Sequence, residues 1–548
     1  MGYIIFGLVI VIVVILLFHY ANKINKKKKL EEIQRIWGNP KNEPFNFDYI
    51  SIYGDLVKDA RFHRLTRQTI EDIDFFDLFR FIDRTTSKVG QQFLYKKLLE
   101  PIDNHTNPSE KLVTLFTSNK ELRENIQFVL QKLNNNGAYF ISSLLKEKLL
   151  EKPKWFNLLI IDLIIVIALL LLSLKFPTLL IILVIPVTVN MYLHYWNKSN
   201  AFQFFRSFPQ LNNLINVSSV MISKGELFYD KKVEDDVKKL KTFQQKLNLI
   251  SFNHEGGIKS ELSQIANYLS ELVKATLLIE VFALYRMTKE LESKKSSIRT
   301  LFEYIGNIDS AISVASLRAG EVKTCTPSLI QSSKEIHGKG IYHPLIEGCI
   351  KNDISVKNKS ILITGSNMSG KSTFLRTLII NSILAQTIYT CFADSFTSPI
   401  LRQFSSIRID DNLFDGKSYY FQEVNIISSF LEQVDRSHQN LFVLDEVFKG
   451  TNTIERIASA KAILSYLNRR ENIVVVSTHD IELAEMLGQE FELFHFTETV
   501  KKDELVFDYS IKSGQIKTRN AIKILESANY PPDIIHEARQ ISSTLGEE

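Results

Sequence analysis

Between an apolar run, Ser360 to Thr364, and a helix-forming stretch, FLRTLIINSILAQ, the chain reads Gly365-Ser366-Asn367-Met368-Ser369-Gly370-Lys371-Ser372. Nothing else in the sequence restricts the fold so strongly. A glycine-framed octapeptide of this pattern needs a strand before it and a helix after it, so that backbone N–H groups and the helix N-terminus converge on an anion. The glycines let the chain bend around phosphate oxygens. Lys371 reaches the β- and γ-phosphates, Ser372 supplies a hydroxyl for magnesium, and Thr373 continues the cradle. The expected ligand is ATP with Mg2+.

Two further apolar runs end in polar residues suited to the same ligand. Leu441 to Leu444 leads into Asp445-Glu446, and Ile473 to Ser477 leads into Thr478-His479-Asp480. Asp445 at a strand tip can hold the magnesium through water, and Glu446 can polarise an attacking water. His479 stands where a γ-phosphate sensor belongs. Short β-branched runs alternate with helical stretches after Ile341, which predicts an α/β nucleotide-binding sheet. Upstream, Asp48 to Leu150 reads as short helices and Ala201 to Ser316 as longer ones, notably Lys259 to Lys295, with apolar residues at three- and four-residue spacing.

Three stretches are long and apolar enough to cross a bilayer. Gly2 to Phe18 carries no charge and is followed by Lys23 and Lys26 to Lys29; with the lysines after the run, an uncleaved anchor is expected rather than a signal peptide. Phe156 to Leu174 and Thr178 to Trp196 flank Lys175-Phe176-Pro177 and predict a hairpin that crosses and returns, with Trp155, Tyr192, Tyr195 and Trp196 as interfacial aromatics. Asp162 is the one charge in the first of these two. The excess of lysine on one side places the large polar parts, ATPase segment included, on the cytoplasmic face of a multi-pass protein of the cytoplasmic membrane. The rest of the composition decides less. At 45% hydrophobic and 23% charged, 548 residues exclude a disordered chain; the net charge of +5 is spread out, and three cysteines without CxxC spacing suggest no disulfide framework or zinc site.

Taken together, TGSNMSGKSTFLR, DEVFKGTNTIER at 445–456 and STHD at 477–480 resemble the ATPase domain of MutS-type DNA mismatch-repair proteins, a branch of the ABC-ATPase superfamily, with Ser366 in place of the usual proline. IEDIDFFDLFRFIDRTTSKVGQQFLYKKLLEPI at 70–102 resembles the start of the MutS core, IGNIDSAISVASL at 305–317 the end of the lever helices, and IYHPLIEG at 341–348 the segment opening the ATPase. The resemblance implies a homodimer in which each ATP is closed by the partner, Ser418 of GKSYYFQEV acting in trans near the γ-phosphate. It also implies DNA as a partner. Cys349 or Ile350 stands where relatives place an adenine-stacking phenylalanine.

The expected fold is thus an α-helical core and lever domain plus an α/β P-loop ATPase domain of ABC type, with transmembrane helices. In order these are an anchor over 1–20, a basic juxtamembrane linker over 21–46, a helical MutS-core-like segment over 47–154, a transmembrane hairpin over 155–196, a helical lever segment over 197–325 and the ATPase domain over 326–548. The expected function is a membrane-anchored ATPase coupled to DNA binding, without a mismatch-reading domain ahead of residue 47; an ATP-driven transporter or membrane regulator is the competing expectation.

Overall fold

The computed structural model describes residues 20, 23–24, 26–58, 62–147, 153–200, 202–250, 261–331, 333–366, 368–408, 419–435, 437–448, 452–501, 504–515, 525–526 and 530–545. The expected N-terminal anchor, Asn367 and Ser418 lie outside the described residues. The chain forms two compact units: a helical one of residues 1–58, 83–96 and 109–316, and an α/β one of residues 59–82, 97–108 and 317–548.

In the helical unit, α1 (Phe156–Ser173) and α2 (Leu179–Asn200) form the expected hairpin. Its turn closes through Phe176 N–H to Leu172 O at 2.9 Å and Leu179 N–H to Phe176 O at 3.0 Å. Among the described residues these are the two helices long and apolar enough to cross a membrane. Their side chains explain why they stand out: Val166 is buried, but Ile161, Ile164, Leu171, Leu174, Ile181 and Ile185 are exposed. A soluble core would bury such a stripe. At the hairpin's foot, Phe156 and Leu159 pack on Leu278 and Val281. Those two residues sit where α3 (Glu261–Thr276) gives way to α4 (Ile279–Glu292). The sequence reads as continuous helix there; instead Leu278 takes a left-handed φ of 50° and is fully buried. Burial of its side chain against the hairpin offsets a backbone cost of about 1–2 kcal/mol.

Polar groups pin the rest of this unit. Asp309, on α5 (Lys295–Arg318), is fully buried and accepts bonds from Thr86 N–H (2.8 Å), Ser87 N–H (2.7 Å) and Ser87 Oγ (2.6 Å). These satisfy backbone donors just ahead of the helix Lys88–Leu99, as a helix start requires. Gly90 is needed beside them, since a Cβ there would lie 2.2 Å from Asp309 Oδ2.

The α/β unit is built on twelve strands among the described residues: β1 (Ser328–Ile330), β2 (Glu335–Ile341), β3 (Asn352–Lys357), β4 (Ser360–Thr364), β5 (Ser395–Pro399), β6 (Arg402–Ser406), β7 (Asn440–Asp445), β8 (Ile473–Thr478), β9 (Phe491–His495), β10 (Glu498–Lys501), β11 (Glu504–Phe507) and β12 (Lys512–Ser513). The main sheet has the order β12-β9-β4-β8-β7-β6, parallel except for β12 at one edge. Its central strands are buried along almost their whole length. That is why SILIT, NLFVL and IVVVST read as unbroken apolar runs rather than alternating ones. A smaller sheet, β1-β5-β2-β3, and the β10-β11 hairpin complete the unit.

Helix α6 (Lys371–Thr387) is buried on nearly all sides, while α7 (Tyr419–Leu431) and α8 (Thr453–Leu467) pack on a core containing Phe404, Phe430 and Phe442. Residues 59–82 and 97–108, part of the helical segment by sequence, pack in this unit. Asp72 shows why. Its carboxylate accepts from Ser405 Oγ at 2.7 Å, Ile407 N–H at 3.0 Å and Arg408 N–H at 2.8 Å, tying the short helix Arg67–Asp72 to the end of β6.

Candidate functional site

Strand register assembles the site. Thr364 at the end of β4 pairs with Thr478 at the end of β8, and Ser477 pairs with Asp445 at the end of β7. Neighbouring strands lie about 4.8 Å apart, so three sequence segments separated by tens of residues open at one edge within reach of a single ligand.

The loop after β4 needs its two framing glycines. Gly365 has φ +153° and a Cβ there would lie 2.9 Å from Phe496 O; Gly370 has φ +106° and begins α6. Inside the loop Ser369 Oγ donates to Ser366 O at 2.8 Å, while Met368 projects into solvent with φ 68°. The buried Lys371 ammonium donates to Gly365 O (2.8 Å) and Ser366 O (2.7 Å), and His479 Nε2 lies 3.3 Å away. Ser366 Oγ donates to Glu498 Oε2 at 2.7 Å.

Ser372 Oγ donates to Asp445 Oδ2 at 2.5 Å, and Ser477 Oγ donates to the other carboxylate oxygen. Ser372 and Asp445 thus present adjacent hard oxygen donors, the set Mg2+ prefers, and the residues fit that ion. Just beyond, Glu446 takes a left-handed φ of 56° while its N–H donates to Ser477 O at 3.0 Å. Its carboxylate lies 2.8 Å from His479 Nε2. Glu423 on α7 accepts Phe448 N–H at 2.5 Å and holds the chain after the acidic pair. Arg456 on α8 grips Asp480 through two bonds of 3.1 and 2.7 Å, fixing the residue next to His479.

Beside the loop opens a cavity of about 320 Å³, lined by Ile346, Cys349, Ile350, Phe374, Phe496 and Tyr509 together with Gly370 and Thr373. Its size and apolar walls suit a nucleobase. Cys349 and Ile350 were legible as lining residues; Phe496 and Tyr509 were not. Asn352 fixes Tyr509 by donating to its carbonyl (3.0 Å) and accepting from Ile511 N–H (2.7 Å), a link no local pattern announces. The turn that carries Ile346 to Ile350 rests on buried His343, whose Nδ1 accepts Leu345 N–H at 3.3 Å. Burial, with Arg376 nearby, pushes the His343 pKa down to about 4, so the ring stays a neutral acceptor.

The structure therefore brings Gly365, Ser366, Ser369, Gly370, Lys371, Ser372, Thr373, Asp445, Glu446 and His479 to one edge of the sheet, with Met368 at the rim. A parallel sheet with a glycine-framed loop on one strand, a carboxylate pair on a second and a histidine on a third defines a P-loop nucleotide-binding domain. Residues 361–546 match the family model of MutS domain V. The chain is 25% identical over 264 residues to the DNA mismatch repair protein MutS of Thermus thermophilus, covering 47% of this chain and 31% of that protein. It is 30% identical over 267 residues to the protein of the same name from Pseudothermotoga lettingae (46% and 32%) and 26% over 306 residues to that of Caldanaerobacter subterraneus (54% and 34%). The chain spans about a third of the length of these relatives. About half of the chain is thus related to MutS proteins, and its α/β unit contains the stretch that matches MutS domain V.

Proposed function

We propose that this chain is a membrane-anchored ATPase that binds and hydrolyses ATP at an interface between two copies and couples the cycle to DNA. The observation that carries the chemical part is the side-by-side placement of Ser372 with Asp445 and of Glu446 with His479, at 2.5 and 2.8 Å, around the Lys371 ammonium. Bound through Ser372 and Asp445, Mg2+ would neutralise phosphate charge. Lys371 and the loop amides orient the triphosphate. Glu446 accepts a proton from the attacking water, and His479, hydrogen-bonded to it, fixes the carboxylate and faces the terminal phosphate. The base occupies the cavity beneath Tyr509. Closure by a second copy, with Ser418 supplied in trans, rests on the family resemblance.

The membrane part is supported by the exposed apolar stripe of α1 and α2. Anchoring through three helices adds the segment over 1–20, and the lysines that follow it favour a cytoplasmic ATPase. DNA as partner is supported by the names of the relatives, DNA mismatch repair proteins. The test is phosphate release by the full chain in detergent or vesicles, with Lys371→Ala as control, followed by binding to duplex, mismatched and branched DNA at two salt concentrations, with and without ATP. Hydrolysis lost in Lys371→Ala, with salt-sensitive DNA binding, is the expected result. Failure to bind any DNA at low salt sinks the DNA reading. ATP-driven flux across vesicles without DNA binding would favour a transporter instead.

A further inference from the structure

At the foot of the apolar hairpin, three helices bring together side chains that the nucleotide site does not use. His194 lies in the last turns of α2 and is 1% exposed; Glu271 lies on α3 and Glu280, 8% exposed, opens α4. His194 Nε2 is 3.8 Å from Glu271 Oε2 and 3.8 Å from Glu280 Oε2. These distances are too long for hydrogen bonds. All three donor atoms lie within 4.8 Å of one another. Donors around a four-coordinate ion at about 2.0–2.2 Å stand roughly 3.4 Å apart, so a small inward movement converts this gap into a coordination site.

The other oxygens of the same carboxylates are already engaged. Lys274, buried between them, lies 3.2 Å from Glu271 Oε1 and 3.3 Å from Glu280 Oε1. It orients both carboxylates so that their Oε2 atoms face the imidazole. Glu280 Oε2 makes no hydrogen bond among the described residues, although it is fully buried. A buried carboxylate oxygen left without a partner is costly, and a cation seated against it removes that cost. One turn back on α2, Asn190 is also buried; its Nδ2 donates to Thr276 O at 2.9 Å and its Oδ1 makes no hydrogen bond among the described residues.

We propose that His194, Glu271 and Glu280 bind a divalent transition-metal ion of the zinc class, with Lys274 positioning the carboxylates. One imidazole and two carboxylates suit Zn2+, with a fourth position left for water. The ion would clip the hairpin to the bend between α3 and α4, the same bend whose buried Leu278 packs on Phe156 and Leu159. None of these donors belongs to the nucleotide site.

The untagged full chain in detergent, stripped with chelator, is titrated with Zn2+ and with Co2+. The expected result is one ion per chain by elemental analysis and a visible cobalt spectrum of a low-symmetry, four- or five-coordinate site. His194→Gln and Glu280→Gln should each weaken binding by roughly 100-fold or more while leaving the helical circular dichroism unchanged. An ion held at Ser372 and Asp445 would persist in His194→Gln and is subtracted by it. No retained metal in the wild type, or equal retention in His194→Gln, overturns the proposal. If a variant fails to fold, the wild-type cobalt spectrum decides alone. Thermal stability that does not respond to added metal also overturns it.

Discussion

In the α/β unit the reactive groups are fixed by strand register: Thr364 opposite Thr478 and Asp445 opposite Ser477 place three chain segments at one sheet edge. In the helical unit the buried polar groups are held by helices meeting across long stretches of chain, as Asp309 meets Thr86 and Ser87. A parallel sheet has a repeat of fixed spacing, so its strand ends converge wherever the strands are adjacent. Helices have no such shared ruler, and each polar contact must be set separately by packing. The first unit should therefore tolerate loss of a reactive side chain without loss of structure, whereas the second should not.

The largest expected effect tests that contrast directly. Glu446→Gln removes the proposed proton acceptor but keeps the shape and the bond to His479, and turnover should fall about 1,000-fold, or about 4 kcal/mol in the barrier, with nucleotide still bound. Phosphate release and equilibrium binding of a fluorescent ATP analogue measure the two halves. Stability should not move. The three tryptophans, Trp37, Trp155 and Trp196, all lie in the helical unit, so their fluorescence reports that unit's unfolding in isolation. A denaturation midpoint shifted in Glu446→Gln would contradict independence of the two units.

Acid should separate the units further, because the buried histidines of one and the buried Asp309 of the other respond to it in opposite directions. In the α/β unit His63, bonded to Gln403 O at 2.8 Å, and His343 are both pushed down to about 4 by burial. A depressed histidine contributes stability above its unfolded value of 6.5 that is lost as pH falls toward 4, about 2 kcal/mol for each ring by pH 5. Asp72, raised by burial, opposes part of this. In the helical unit burial raises Asp309 to about 6, so the folded state holds its proton where the unfolded state, at 3.8, does not. That unit gains stability as pH falls from 6 toward 3.8, by about 1 kcal/mol at pH 5. Hydrogen exchange in β4, β7 and β8, set against tryptophan fluorescence at pH 7 and pH 5, should show the two units moving in opposite directions. Parallel movement would mean that these groups do not govern the acid response.

Removing the helical unit's anchor should cost about as much. Asp309→Ala leaves the part-buried N–H of Thr86 and the buried N–H of Ser87 without their acceptor, and the expected loss is about 2–3 kcal/mol in the tryptophan-detected transition. Asp309→Asn retains one acceptor and should lose less. It should also abolish the pH 5 gain. A change under 0.5 kcal/mol in Asp309→Ala would show that water replaces the carboxylate.

How far the sequence disclosed all this follows the same division. Strands β4, β7 and β8 were readable because burial on both faces leaves unbroken apolar runs, and the glycine-framed loop needed no tertiary knowledge. The hairpin was readable from length and purity alone. The bend at Leu278 was not, since its local sequence, ATLLIEV, is good helix; only packing against Phe156 and Leu159 imposes the left-handed residue. Asp309 was hidden for a similar reason: nothing near residue 309 reveals that its partners lie at 86 and 87. Nor does any motif link Asn352 to Tyr509, or Ser366 to Glu498.

The smallest effect concerns that hidden aromatic. Tyr509 stands over the cavity beside Gly370, where a Cβ would come within 3.3 Å of its ring, and it is half in solvent. A base seated there gains ring contact on one face only, and loss of one exposed stacking partner is worth about 1 kcal/mol. Tyr509→Ala should raise the dissociation constant for ATP about fivefold and leave turnover at saturation unchanged, because the ring touches the base and not the reacting phosphates. Tyr509→Phe should match the wild type. Equal weakening of ATP and inorganic triphosphate by Tyr509→Ala would place the effect on the phosphate loop, through Gly370, and remove the base from this cavity.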